Sequence, residues 1–250
     1  MVDLTVVIPV YQGRKHIEPL LLELVPALEQ GEKHWEILLV DDGSSDGSFE
    51  LISEWHLRDA RIRGIRLEQH RGQQNAVYCG LCNALGRKIV TIDDDRQHPP
   101  QSVIPLASEL DKGFDLVYAV ARNRRRSLFF QVGTMAVDIF FTLFLRKPPT
   151  QRISSFRSLT REAAGGIAGK TGSFVYVSAL LFRLRPSLRV GTFFYSSPAS
   201  PGGIQKQHRF RISRRINLFA RLFLFYGPFQ GLVPRGGSPY TVAETLGEAQ

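Results

Sequence analysis

Three consecutive carboxylates, Asp93, Asp94 and Asp95, follow directly on the run Ile89-Val90-Thr91-Ile92 and lead into Arg96-Gln97-His98-Pro99-Pro100. Carboxylates packed side by side repel one another unless a cation sits among them. Oxygen ligands of this kind suit Mg²⁺ or Mn²⁺, with phosphate oxygens filling the remaining positions. Side chains alternate along an extended chain, so Asp93 and Asp95 project to one side and Asp94 to the other. That alternation makes Asp93 and Asp95 the candidates for metal and nucleotide and gives Asp94 a supporting role. The competing explanation is a solvated acidic loop at a strand end, since such clusters are common at loop tips.

The elements around these residues decide between the two. Leu4 to Tyr11 reads as a buried strand ended by Pro9, and His16 to Gln30 as a helix with Ile17, Leu20, Leu21, Leu24 and Leu28 at helical spacing. Trp35 to Val40 is a second strand. It runs into Asp41-Asp42-Gly43-Ser44-Ser45-Asp46-Gly47-Ser48, a loop of turn and capping residues. A helix over 49–56, a strand over 63–67, a helix over 72–85 and the strand Lys88 to Ile92 complete the first hundred residues. Strands alternating with helices predict a parallel sheet with crossover helices. Ligands bind such sheets at the carboxyl ends of the strands. Both acidic clusters, 41–42 and 93–95, fall there, which favours the metal–nucleotide reading.

The second half is less regular. A helix over 102–110 and a strand over 116–120 precede Arg122-Asn123-Arg124-Arg125-Arg126, a basic loop whose guanidinium groups suit phosphate oxygens. Residues 128–145 are strongly apolar but carry Asp138, so a core or membrane-surface helix is expected rather than a span. Residues 154–161 read as a polar loop entering a helix, and 174–183 as a helix. From Lys206 to Phe223, arginines interleave with Phe, Ile and Leu. This predicts a basic amphipathic helix able to lie on an anionic membrane surface or to pack on the core or a second copy. The tail 236–250 is expected to be loosely attached.

Composition sets the frame. The chain has 250 residues, 43% hydrophobic and 22% charged, enough for one substantial core and inconsistent with disorder. The net charge of +9 suits anionic partners. Cys79 and Cys82 lie in a small-residue helical stretch and are expected to be buried thiols in a reducing compartment. The start, with Asp3 and an alternating strand pattern, does not read as a signal peptide.

Together, Val7-Ile8-Pro9-Val10-Tyr11, the 39–47 loop and Asp93-Asp94-Asp95-Arg96-Gln97-His98-Pro99-Pro100 resemble family 2 glycosyltransferases of the GT-A fold. The last motif is similar to the Asp-Ala-Asp-Leu-Gln-His-Pro-Pro form of the branch that makes dolichyl- and undecaprenyl-phosphate sugars. Ser155-Phe156-Arg157 and Pro239-Tyr240-Thr241 resemble further stretches of that branch. The resemblance implies a GT-A, Rossmann-like α/β domain, a mostly parallel sheet flanked by helices, over 1–200. The residues themselves, not the resemblance, predict a basic segment with amphipathic helices and no transmembrane span over 201–250. The resemblance implies an inverting transfer of a sugar from a nucleotide-sugar to a polyprenyl phosphate, with Mg²⁺ or Mn²⁺. Pro9, Tyr11, Asp41 and Asp42 would line the nucleoside pocket. Asp93 would lie by ribose and sugar, with Asp95 and Gln97, together with Asp93, at the metal. Arg122, Arg157 and Lys206 would meet phosphates. The expected partners are the donor, the lipid phosphate, an anionic membrane surface on the cytoplasmic, inner face and a second copy, but not nucleic acid.

Three features depart from that branch. Gly13 stands where an acidic residue is usual, 200–206 lacks the usual acceptor-loop residues, and no pair of membrane-spanning helices follows Arg221. Rival readings are a soluble transferase acting on a glycan hydroxyl with Glu162 as base, a surface- or nucleic-acid-binding module using the arginines, and an inactive family member.

Overall fold

The computed structural model describes residues 1–122, 139–169, 174–196, 212–227 and 238–247. Buried β-branched and leucine runs form the first strands. β1 (Leu4–Val10), β2 (Trp35–Asp41), β3 (Ile62–Leu67) and β4 (Lys88–Thr91) alternate with α1 (Arg14–Gly31), α2 (Ser48–Arg58) and α3 (Gln73–Asn83). β1 pairs in parallel with β2 and β4, and β2 with β3, as the βα alternation requires. The full order is β7-β5-β6-β4-β1-β2-β3-β8, with β5 (Leu116–Ala121), β6 (Arg157–Thr160), β7 (Val190–Tyr195) and β8 (Val242–Leu246).

Pro9 does not end β1. It sits in the strand opposite Val40, and pairing with β4 stops at Val7. With a strand neighbour on one side only, a missing N–H is tolerated as at a sheet edge. The expected polar loop over 154–161 is instead β6, antiparallel to both β4 and β5. Its polar side chains are buried and find internal partners: Arg157 Nη1 donates to Ser178 Oγ at 2.8 Å and Ser158 Oγ to the Leu106 carbonyl at 2.9 Å. A strand whose inward positions are polar shows no hydrophobic alternation to read. β7, which the sequence reading left unassigned, pairs in parallel with β5.

The tail is not loose. β8 pairs antiparallel with β3, Arg63 Nε donates to the Gly247 carbonyl at 2.8 Å, and Tyr240 packs edge-on against Tyr78. Tyr240 lies beside both thiols, burial pushes Cys79 up to about 12 and Cys82 upward, and both cysteines are free.

The sheet is covered on both faces. α1, α2 and α4 (Val103–Ser108) bury leucines and isoleucines on one face. α3, helical residues 139–145, and the helices Val177–Leu184 and Ile212–Tyr226 cover the other. α3 lies so close to β1 that a Cβ on Gly80 would overlap Val7 Cγ1. One C-terminal helix, Ile212–Tyr226, is described where several were expected. Among the described residues no helix is long and apolar enough to cross a membrane. The basic stretch 123–126, the apolar residues 128–138, the 200–206 loop and Lys206 lie outside the described residues.

Candidate active site

β1 to β5 and β7 share one direction, and β6 runs against them. Their carboxyl ends bring Tyr11, Asp41, Asp42, Asp93, Asp94, Asp95 and Arg122 to one rim. Because β6 is reversed, its first residue, Arg157, comes to the same rim opposite Thr91. Glu162 follows the far end of β6, at the other edge of the sheet, and is paired with Arg185 at 2.6 Å.

At the β1–β2 side, Asp42 is buried and accepts hydrogen bonds from the backbone N–H groups of Arg71 and Gly72, both at 2.7 Å, and lies 2.8 Å from His70 Nδ1. Burial pushes its carboxyl up, and these bonds offset part of that. Gly72 has φ +96°, which a side chain would strain. His70, held this way, stacks on the exposed Tyr11 ring with centroids 3.8 Å apart. Asp42 therefore works through His70, and Tyr11 with His70 offers a flat face of the kind a nucleobase takes. Asp41 is fully buried, accepts from the Ser44 N–H and faces Arg66 Nε at 3.8 Å, so it shapes the loop from within. Pro9 is buried in β1, paired with Val40.

At the centre, Asp93 is held on both oxygens. Oδ1 accepts from Gln73 Nε2 at 2.6 Å, and Oδ2 from Ser155 Oγ at 2.6 Å, with His98 Nε2 at 3.4 Å. Burial alone would push this carboxyl up. The His98 and Ser155 hydrogen bonds and the Arg157 charge outweigh burial and hold it below the usual carboxylate range. His98 is itself buried, with Nδ1 2.8 Å from the Tyr195 hydroxyl. Asp95 is exposed and accepts from the N–H and Nε2 of Gln97, at 3.1 and 2.6 Å. Asp94 and Asp95 lie in a turn, not in the extended chain expected, and Asp94 points toward Gly13. Its Oδ2 occupies the space that a Cβ on Gly13 would need. Burial, then the charges of Asp95 and Asp93, push Asp94 up to about 7.

On the far side of Asp93 lies a cavity of about 130 Å³ lined by Gln74, Ile153, Ser154, Ser155, Arg157, Tyr176 and Ser178. Arg157 is 2% exposed, bonds Ser178 and leaves its buried Nε without a partner. A buried guanidinium with an unmet donor is a site for an anion. Ser155 belongs to both places: it lines this cavity and donates to Asp93. Arg122 stands exposed at the end of β5, its N–H bonded to the Tyr195 carbonyl at 3.0 Å.

The donors Asp93, Asp95 and Gln97 supply oxygen only, which fits a hard divalent cation. Among the described residues no group of three or more His, Cys, Asp or Glu is poised as a closed site, so phosphate oxygens would have to complete the shell. His70, Gln73, Gln74, Ser155, Tyr176, Ser178, His98 and Tyr195 were not assigned roles from the sequence. Ser155 and His98 lay within the quoted motifs. Tyr176, Ser178 and Tyr195 sit in apolar segments that carry no chemical signal.

Residues 5–178 match the family described as "Glycosyl transferase family 2". Undecaprenyl-phosphate 4-deoxy-4-formamido-L-arabinose transferases from Salmonella choleraesuis and Salmonella newport are each 38% identical over 136 residues, 54% of this chain and 42% of theirs. The chain thus matches less than half the length of these relatives. Mannosyl-3-phosphoglycerate synthase from Rubrobacter xylanophilus superposes with a TM-score of 0.66 at 16% identity, over 95% of this chain and 78% of that one. Glucosyl-3-phosphoglycerate synthase from Mycobacterium tuberculosis, crystallised with Mn²⁺, uridine-diphosphate and glucosyl-3-phosphoglycerate, gives 0.63 at 18% identity over 96% and 86%. Those likenesses establish the GT-A fold.

Proposed function

Since the chain belongs to glycosyl transferase family 2, we propose that it moves a sugar, with inversion, from a nucleotide-sugar to a polyprenyl phosphate. The 38% identity to transferases that act on undecaprenyl phosphate supports this acceptor class. The observation that carries the reading is the pairing of Asp93 with the Arg157 cavity through Ser155 on one rim.

The nucleobase stacks by Tyr11 and His70, with Asp42 fixing His70 and Asp41 shaping the loop, at the end of β1 that carries Pro9. Asp93 faces the ribose and sugar. Asp95 and Gln97, with Asp93, would hold Mg²⁺ or Mn²⁺, which when bound offsets the charge of the departing diphosphate. Arg157, with Ser154 and Ser155, receives the acceptor's phosphate, and Arg122 adds a cationic group on the same rim. A phosphate acceptor is already an anion, so no base has to remove a proton. Its approach to the anomeric carbon needs cations that cancel repulsion between two phosphate groups. The glycan-hydroxyl reading needs a base, and Glu162, its candidate, stands at the opposite edge of the sheet and is paired with Arg185.

We assign the chemistry to residues 1–200 and contact with the inner, cytoplasmic membrane surface to 201–250 together with residues 139–145. Leu143, Phe144 and Leu224 are 71%, 46% and 46% exposed, and Phe144 packs against Phe223, so the two helices share an open apolar face. This face could equally pair two copies of the chain.

The test is nucleotide release from UDP-, GDP- and dTDP-sugars with Mn²⁺ or Mg²⁺, with and without undecaprenyl phosphate. Release that requires both metal and lipid and vanishes in Asp95→Ala is expected. Release indifferent to the lipid would move the acceptor to a glycan or water. No release with any donor would favour an inactive or purely binding protein.

A further inference from the structure

The segment Gln97-His98-Pro99-Pro100 holds a histidine that the reaction described above does not use. His98 is 8% exposed, and its ring lies against Phe156 with centroids 5.0 Å apart. Nδ1 is 2.8 Å from the Tyr195 hydroxyl, and Nε2 is 3.4 Å from Asp93 Oδ2 and 3.5 Å from Ser155 Oγ. Tyr195 is the last residue of β7, packs edge-on against Phe156 at 5.6 Å, and accepts the Arg122 N–H on its carbonyl. One residue at the end of the sheet order therefore touches both halves of the site. Its hydroxyl reaches Asp93 through His98, and its backbone holds the start of the loop carrying Arg122.

We propose that Tyr195 and His98 are positioning residues for the transfer, fixing the Asp93 carboxylate against the sugar and setting its spacing to Arg122. A tyrosine hydroxyl that donates to Nδ1 leaves the imidazole proton on Nε2, facing Asp93 Oδ2. The ring N–H then faces Asp93 Oδ2 across 3.4 Å. Gln73 and Ser155 fix the other contacts. With His98 in place, the carboxylate has lost its rotational freedom before substrate arrives. The alternative role for such a buried histidine is packing alone, on Phe156 and Tyr195. The two roles separate in the variants. Tyr195→Phe and His98→Phe keep rings in the pocket and remove only hydrogen bonds. His98→Gln restores a donor without the ring.

This inference rests on the transferase reading, and the tests distinguish the two. Steady-state transfer would be measured on folded protein, with melting temperature as a check. Tyr195→Phe is expected to lower kcat about 5- to 10-fold and His98→Phe about 100-fold, with KM for the nucleotide-sugar within about twofold and His98→Gln recovering part of the loss. Unchanged kcat in both, or a rise in KM alone, would overturn the positioning role while leaving the transferase intact. A readout independent of turnover is ¹⁵N NMR of the imidazoles, with the His98 signals identified by their loss in His98→Phe. A proton on Nε2, with signals that move in both Tyr195→Phe and Asp93→Asn, is expected. Signals unmoved in either variant would overturn the proposal even if no donor were turned over.

Discussion

Asp94 and Arg157 show how single residues at this rim trade stability against charge. Asp94 is pushed up to about 7 by burial and by its two carboxylate neighbours. An acid whose pKa rises on folding contributes stability below its ordinary pKa, and that contribution is lost as pH rises through 7. Asp94→Asn is therefore expected to melt like the parent at about pH 3.5 and higher at pH 8, by about 1–2 kcal/mol after solvent screening, with added Mn²⁺ narrowing the gap. Thermal scans at the two pH values, with and without the metal, check this. Arg157 is the opposite charge in a tighter place. A buried guanidinium with an unmet Nε–H is costly in the free protein, and replacing such a group by a residue of similar volume is often neutral or stabilising. Arg157→Met should melt no lower than the parent and lose about 100-fold or more in transfer, measured as kcat/KM. Arg157→Lys should recover little, since a lysine lacks the planar fork.

At the scale of elements, α3 sets the distance between the two halves of the site. It carries Gln73 to Asp93, follows the turn that Asp42 holds, and rests on β1 at Gly80 with no room for a methyl group. Gly80→Ala should destabilise by about 1–3 kcal/mol and weaken nucleotide binding, because Gln73 and the 70–72 turn move with the helix. Denaturant melts and calorimetric titration with UDP would show both. The elements that run on apolar periodicity, β1 to β5 and α1 to α3, were legible in the sequence to within a few residues. So was the rim they share, since the carboxylates follow the strands directly. β6 was not legible, because Arg157 and Ser158 are buried and bond Ser178 and a carbonyl of α4, partners distant in sequence. β8 was not either: Val242–Leu246 is mostly exposed and becomes a strand only because β3 offers an edge. The same logic hid Tyr195. Its importance lies in the ring it meets across the sheet, which no local pattern announces.

The whole molecule carries +9 while its site is lined with carboxylates, so the excess lies elsewhere. If the open face of Leu143, Phe144 and Leu224 meets an anionic bilayer, co-sedimentation with phosphatidylglycerol vesicles should fall steeply between about 0.05 and 0.5 M salt. Leu143→Asp should weaken what remains at high salt, because it removes the apolar contribution rather than the charge. The sheet also has a history in time. β3 ends at Leu67 and its outer neighbour, β8, begins at Val242, so the partner emerges from the ribosome long after the strand it covers. At about 5–20 residues per second, that delay is on the order of 10–40 s. For that interval the nascent protein presents an uncovered edge strand, the kind of surface on which chains pair with one another. Yield of soluble protein should thus depend on chaperone supply during synthesis more than on the stability of the finished fold.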